Sequence, residues 1–202
     1  MTLKELNAYK ANLKLTQKQK DILVGGLLGD FSLRKIGKFS RLVFEQKNKD
    51  YLFHLYDIFK DFVRTPPKER FQKRLESSEI KSTWYFSTIS HPELQVYYEM
   101  FYPNGKKIIP KDLENYLSDR GLAYWYMDDG SKYGLSYNIS TCSFDLQEHK
   151  LFEHIFLTKW NIITETRLKK YSTLYITKNN SSHIKFKNLI KPYIIPSMLY
   201  KL

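Results

Sequence analysis

Cysteine is nearly absent from this 202-residue chain: Cys142 stands alone, which rules out an internal disulfide framework and a cysteine-rich zinc site. With 8 glycines and 7 prolines, the chain has no low-complexity tract and no obvious long linker. No stretch approaches the roughly 18 apolar residues of a membrane-spanning helix, and the basic residues are dispersed instead of gathered on one amphipathic helix. Met1-Thr-Leu-Lys-Glu-Leu6 lacks the apolar centre of a secretory signal, so a reducing interior is the expected setting. Acidic residues are also scarce: 21 Asp and Glu stand against 33 Lys and Arg, a net charge of +12. Such an excess points to a polyanionic partner, nucleic acid before membrane.

What is abundant supports a folded domain. Hydrophobic residues make up 42% of the chain, a globular composition, and 16 tyrosines supply side chains suited to both cores and wet interfaces. Lys, Asn, Ile and Tyr are all frequent, as AT-rich coding produces, which favours an organelle genome.

The chain repeats itself weakly. Thr16 to Asp30 has helical periodicity with Thr16 as N-cap. Two strands follow at Phe31–Ile36 and Phe39–Gln46 around Gly37. A helix is expected over Asp50–Val63, a strand near Arg70–Leu75, and another over Ile80–Ile89. On that last strand Trp84 and Phe86 face one way and Lys81, Thr83, Tyr85 and Ser87 the other. Ser90-His91-Pro92 starts a helix to Phe101. The second half replays this order: a helix over Leu113–Asp129, strands at Ser131–Leu135 and Tyr137–Ser143 around Gly134, a helix capped by Asp145 and running to Trp160, strands at Ile162–Lys170 and Thr173–Thr177, and a helix from Ser181 to Ile190. The halves close alike, with Lys107-Ile-Ile-Pro110 and Tyr193-Ile-Ile-Pro196. The expected fold is therefore α/β in the α+β sense, two αββαββα repeats, with residues 1–15 as an N-terminal extension, 16–110 as the first repeat and 111–202 as the second.

The chemistry lies at the end of the first helix of each repeat. One ends Leu23-Val-Gly-Gly-Leu-Leu-Gly-Asp30; the other reads Leu122-Ala-Tyr-Trp-Tyr-Met-Asp-Asp-Gly130. Gly25, Gly26 and Gly29 each cost about 1 kcal/mol of helix propensity relative to Ala. Small residues do let two helix backbones approach closely, so the segments read as the two sides of a seam. An acid at a helix C-terminus is disfavoured by the helix dipole. Two such acids side by side repel, and a hard divalent cation relieves both conflicts. Taken singly, Asp30 and Asp129 would be ordinary solvated helix-end acids; in register within a repeated pattern they become candidate metal ligands. The histidines at 54, 91, 149, 154 and 183 show no metal-ligand spacing.

These paired segments resemble the motifs of the LAGLIDADG homing endonucleases in their monomeric two-repeat form. The second copy is a close match; in the first, Leu28 and Phe31 replace the acid and the final glycine of the namesake pattern. The similarity extends from about Thr16 through Phe44-Glu-Gln-Lys-Asn-Lys49, Lys106-Lys-Ile-Ile-Pro110, Glu114-Asn-Tyr-Leu117, Leu189-Ile-Lys-Pro-Tyr-Ile-Ile-Pro196 and Met198-Leu-Tyr-Lys-Leu202. The resemblance implies saddle-shaped antiparallel sheets, a central two-helix seam, and Mg²⁺ (Mn²⁺ as a substitute) held by Asp30 and Asp129, with the carbonyls of Gly29 and Asp128 as further ligands. It implies hydrolysis of both strands of a long asymmetric double-stranded DNA site, leaving 3′ overhangs and promoting intron mobility, by a monomer encoded in a mitochondrion or, alternatively, a chloroplast. Metals about 4 Å apart activate water and stabilise the leaving oxygen in such sites. Lys107 and Lys201 are the matching basic residues, one per half, suited to stabilising charge on the phosphate.

The DNA-reading surface is expected on the strand faces turned away from the helices. Candidates are Arg34, Lys35, Lys38, Arg41, Glu45, Lys47, Lys81 and Tyr85 in the first half. The second half offers Lys132, Tyr133, Asn138, Ser140, Cys142, Arg167, Lys169, Tyr171 and Tyr175. The same fold and basic surface would also serve a maturase acting on its own group I intron RNA, or a descendant that binds nucleic acid without cutting it. Retention of both acids argues against a purely binding role.

Overall fold

The computed structural model describes residues 3–73, 80–168 and 172–202. Its elements run α1 (Leu3–Asn12), α2 (Gln17–Leu28), β1 (Ser32–Ile36), β2 (Phe39–Gln46), α3 (Lys49–Phe59), β3 (Lys68–Lys73), β4 (Ile80–Ser87) and α4 (Pro92–Phe101). The second series is α5 (Asp119–Asp129), β5 (Gly130–Tyr133), β6 (Ser136–Ser140), α6 (Leu146–Trp160), β7 (Thr164–Arg167), β8 (Thr173–Ile176) and α7 (Ser182–Ile190). From α2 to α4 and from α5 to α7 the order αββαββα occurs twice. Each series forms one antiparallel four-stranded sheet, ordered β1-β2-β4-β3 and β5-β6-β8-β7. Among the described residues no helix is long and apolar enough to cross a membrane.

Local chemistry explains the helix starts. Thr16 and Gln19 form a reciprocal cap: the Thr16 hydroxyl accepts from the Gln19 amide at 3.2 Å, and Gln19 Oε1 accepts from the Thr16 amide at 2.9 Å. Asp145 and Glu148 do the same for α6. His91 caps α4, its Nδ1 accepting from the Glu93 amide at 3.2 Å, with Pro92 in the first turn. The extension expected before residue 16 holds the helix α1. The helix expected from Leu113 starts later, because Ser118 adopts an extended backbone and its hydroxyl accepts from the Gly121 amide; only a short 3-10 turn occupies Leu113–Asn115. The helix expected to Val63 stops at Phe59 and tightens into a 3-10 turn over Lys60–Phe62. The strand expected near Arg70–Leu75 is β3, its last two expected residues lying outside the described ones. Gly37 and Gly134 have φ of 61° and 60°, as tight hairpin turns require.

The chain divides into two compact units: residues 1–20 with 30–108, and residues 21–29 with 109–202. The first unit buries one helix-facing side of its sheet. Phe44 is stacked on Phe86 at 4.3 Å and meets Phe31 edge-on at 4.7 Å, with Leu42, Leu52, Leu55 and Phe59 around them. In the second unit Trp125 packs on Phe152 at 4.8 Å and Tyr126 on Phe186 at 5.2 Å, with Ile139, Ile155, Leu174 and Ile176 buried nearby.

The second unit contains the helix seam. Asp21 to Leu28 of α2 and Gly121 to Met127 of α5 are all buried. A Cβ placed on Gly25 would lie 1.9 Å from the carbonyl oxygen of Gly121, so the two backbones touch there, as the small residues of the motif predict. Asp21 and Arg120 pair across the seam at 2.8 Å, and their separation of 99 positions is also that of Asp30 and Asp129.

Candidate metal centre and nucleic-acid interface

The motif acids lie at the ends of α2 and α5. Asp129 is the last residue of α5, half-buried, with Gly130 as C-cap. Asp30 is exposed and follows the last helical residue of α2 by two positions. A Cβ on Gly29 would meet Asp128 Cβ and Oδ2 at 2.6 Å, so Gly29 is the residue that admits the Asp128 side chain.

Each acid has a neighbour that sequence reading did not assign or only matched. In the first unit the Gln46 side-chain amide donates to Asp30 Oδ2 at 3.1 Å, orienting that carboxylate. Gln46 was visible only as part of the Phe44–Lys49 similarity; its place at the end of β2 gives it this contact. Lys107 Nζ donates to the carbonyl of Phe31, the residue after Asp30, at 3.4 Å. In the second unit Lys201 Nζ donates to the carbonyl of Met127, two residues before Asp129, at 2.5 Å. The Tyr126 hydroxyl donates to the Lys201 carbonyl at 2.7 Å and pins that backbone. Burial, and then Tyr137, push the Tyr126 hydroxyl well above the usual tyrosine range, which keeps it a donor.

The donor set suits a hard cation. The expected ligands are carboxylate and carbonyl oxygens, and among the described residues no group of three or more His, Cys, Asp or Glu gathers that could hold a metal ion. Mg²⁺ is commonly held in this way, by one or two carboxylates plus substrate phosphate oxygens and water.

The outward faces of the sheets collect most of the proposed DNA contacts. In the first unit the register brings Arg34 opposite Arg41 and Glu45 opposite Tyr85, with Lys81 on the same side of β4. Two arginines directly opposite each other repel unless an anion or a base edge lies between them. Lys38 sits in the β1–β2 turn and Lys47 just past β2; both are exposed. Lys35 pairs with buried Ser40 and so has the opposite parity, on the helix side. In the second unit Tyr133, Asn138, Ser140, Arg167 and Tyr175 share the outward side. Lys132 pairs with buried Tyr137 and belongs to the other side, where it borders a cavity with Lys187 and Lys191. Lys35 and Lys132 thus depart from the expected reading face. Both lie on edge strands, β1 and β5, where water reaches both sides and a lysine is tolerated on either. Cys142 is exposed beyond β6, its Sγ 3.6 Å from the Ser172 carbonyl. Lys169 and Tyr171 lie outside the described residues. Lys68 and Arg70, absent from the expected contacts, share the outward face of the first sheet with Thr83, which the sequence had placed on the face of Lys81 and Tyr85. The alternating polar run Lys68-Glu-Arg-Phe-Gln-Lys73 was the available signal for β3.

The model of the LAGLIDADG DNA endonuclease family matches residues 20–184. The chain belongs to that family. Among curated relatives, a probable intron-encoded endonuclease 1 of Wickerhamomyces canadensis is 34% identical over 93% of this chain and 85% of its own length. The cytochrome b mRNA maturase bI2 of Debaryomyces hansenii is 31% identical over 99% of this chain and 79% of its own. Among solved structures, the homing endonuclease I-WcaI bound to its DNA recognition sequence superposes with a TM-score of 0.92 at 33% identity, covering 98% of this chain and 91% of that one. The two antiparallel sheets and flanking helices are the fold of this family.

Proposed function

We propose that this protein is a site-specific homing endonuclease that hydrolyses both strands of a long, asymmetric DNA target, with divalent cations held by Asp30 and Asp129. The observation that supports this most directly is the tight approach of Gly29 and Asp128, the residues that immediately precede the two acids. Family membership supplies the reaction class, and I-WcaI, similar over nearly the whole chain, is described as bound to its DNA recognition sequence. Bound Mg²⁺ would supply Lewis acidity and an activated water. The carbonyls of Gly29 and Asp128 would be its further donors, and Gln46 keeps the Asp30 carboxylate turned by holding Oδ2. Lys107 and Lys201, tethered beside their acids, offer ammonium groups to the charge that gathers on each phosphate. An intron-borne gene in an organelle genome, mitochondrial before chloroplast, is the source that composition and the intron-encoded relative favour.

The test is cleavage of the intron-less allele of the host gene by the purified protein with Mg²⁺. Asp30→Asn and Asp129→Asn are each expected to cripple double-strand cutting while DNA affinity is retained. Full activity in either variant would remove that acid from the metal centre. A second reading, action on intron RNA as a maturase, is favoured by the similarity to the maturase over almost the full chain. It prevails if the intact protein binds the intron RNA and does not cut that DNA.

A further inference from the structure

The outward faces of the two sheets bear the same pair of side chains at the same register. In the first unit Arg70 on β3 lies opposite Thr83 on β4. Its guanidinium carbon sits 4.2 Å from the ring centroid of Tyr85, two residues along β4. In the second unit Arg167 on β7 lies opposite Thr173 on β8. Its guanidinium carbon sits 3.2 Å from the ring centroid of Tyr175, again two residues along.

The next strand breaks the equivalence. Glu45 on β2 is the register partner of Tyr85, whereas Asn138 on β6 is the partner of Tyr175. Glu45 Oε1 accepts from the Thr83 hydroxyl at 2.8 Å, and Oε2 pairs with Arg70 Nη1 at 3.4 Å. Among the described residues no carboxylate pairs with Arg167; its second neighbour is the ring of Tyr133 at 5.9 Å.

Arg70 is therefore held on two sides before any ligand arrives, by a ring under its plane and a carboxylate at its edge. Arginine has five N–H donors in a rigid fork, and the bond to Glu45 engages one. Glu45 repels phosphate at the guanidinium edge, while Lys68, the other register partner of Tyr85, adds a cation to the same face, so what singles out Arg70 is its fixed orientation and not a lowered charge. A fork fixed in this way suits a base edge: guanine O6 and N7 for the fork, and cytosine N4 for a carboxylate lone pair. Arg167 is stacked but, among the described residues, not ion-paired, even though Glu165, the other register partner of Tyr175, shares its face; its fork stays unengaged and free to turn toward a phosphate.

We propose that Arg70, oriented by Glu45 and Tyr85, is a guanine-reading residue, and that the base pair it meets is read more stringently than the one met by Arg167. This rests on the reading of the protein as a DNA endonuclease. Side-chain immobilisation before binding is what makes the difference, because an unfixed arginine must lose its rotamer freedom on contact.

The experiment starts from a random-sequence duplex pool, selected by the wild-type protein without Mg²⁺ to define a consensus. Every single-base substitution of that consensus is then measured for affinity. Arg70→Ala and Glu45→Ala are each expected to reduce discrimination at one and the same G·C pair on the order of tenfold. Asn138→Glu, which places a carboxylate at the register position of Glu45 in the second unit, is expected to sharpen discrimination at a single position in the other half of the target. Losses spread evenly over all positions in Arg70→Ala would make Arg70 a phosphate contact and overturn the inference. So would unchanged profiles in both Glu45→Ala and Asn138→Glu. If the wild-type protein selects no duplex at all, the endonuclease reading fails, and this inference fails with it.

Discussion

Replacing Gly25 by alanine in the middle of α2 tests the seam. In an isolated helix the change would stabilise by about 1 kcal/mol. Here the added Cβ would lie 1.9, 2.6 and 2.8 Å from the carbonyl oxygen, carbonyl carbon and Cα of Gly121. All three are backbone atoms, so no side-chain rotation relieves the clash. Restoring an ordinary contact requires α2 and α5 to separate by roughly 1.5 Å. Overpacking of this kind costs about 3 kcal/mol at the upper end of its usual range. After the propensity gain, the expected net loss is about 2 kcal/mol, or roughly 4–8 °C in melting temperature for a chain of this size. Gly121→Ala meets Asp21 O at 2.9 Å and a movable Leu117 methyl at 3.2 Å, so its loss is expected to be smaller. Thermal unfolding followed by circular dichroism gives both values, and cleavage rates report whether the helix ends have moved. A Gly25→Ala protein as stable as wild type, or more stable, would refute the close-packed seam.

Arg120→Ala is expected to destabilise by about 2 kcal/mol in urea titrations, because it removes the guanidinium that pairs with the buried Asp21 carboxylate; Arg120 is itself 31% exposed, which trims the usual cost of breaking such a pair. Asp145→Ala removes both the cap and the box of α6 and is expected to cost about 1 kcal/mol by the same assay. Burial alone would raise the Glu93 pKa, but the Lys14 ammonium and the Leu15 amide outweigh it and hold the carboxyl below its usual range. A depressed carboxylate stabilises the fold above its unfolded pKa of about 4.3 and loses that contribution as pH falls through the lower folded value. Glu93→Gln should therefore flatten the stability profile on the acid side of pH 4.3 and leave its slope above pH 6 unchanged. Lys107→Met and Lys201→Met are each expected to slow one strand more than the other, so that nicked duplex accumulates on gels; equal slowing of both strands by both variants would separate these lysines from individual phosphates.

The sequence by itself determined whatever depends on short range. Helical and strand periodicities, the caps at Thr16, His91 and Asp145, and the turns at Gly37 and Gly134 involve residues within about four positions of one another. The duplicated apolar motif also identified Asp30 and Asp129 as equivalent, because a glycine-rich helix has little reason to exist except against another backbone. The late start of α5 was hidden because Leu113 and Leu117 continue the apolar pattern, while the Ser118 cap that starts the helix is a local competitor to it. Only the tertiary structure decided contacts between strands and helices far apart in the chain. It gave residues 21–29 to the second unit, brought Gln46 to Asp30, and paired Asp21 with Arg120. It put Lys35 and Lys132 on the helix side of their edge strands, where charge alone had suggested the outward face. It also separated Arg70, paired with Glu45, from Arg167, which stacks on Tyr175 and, among the described residues, forms no ion pair although Glu165 shares its face. Strand register selects which side chains become neighbours, and in both sheets that register joins residues that lie tens of positions apart in sequence.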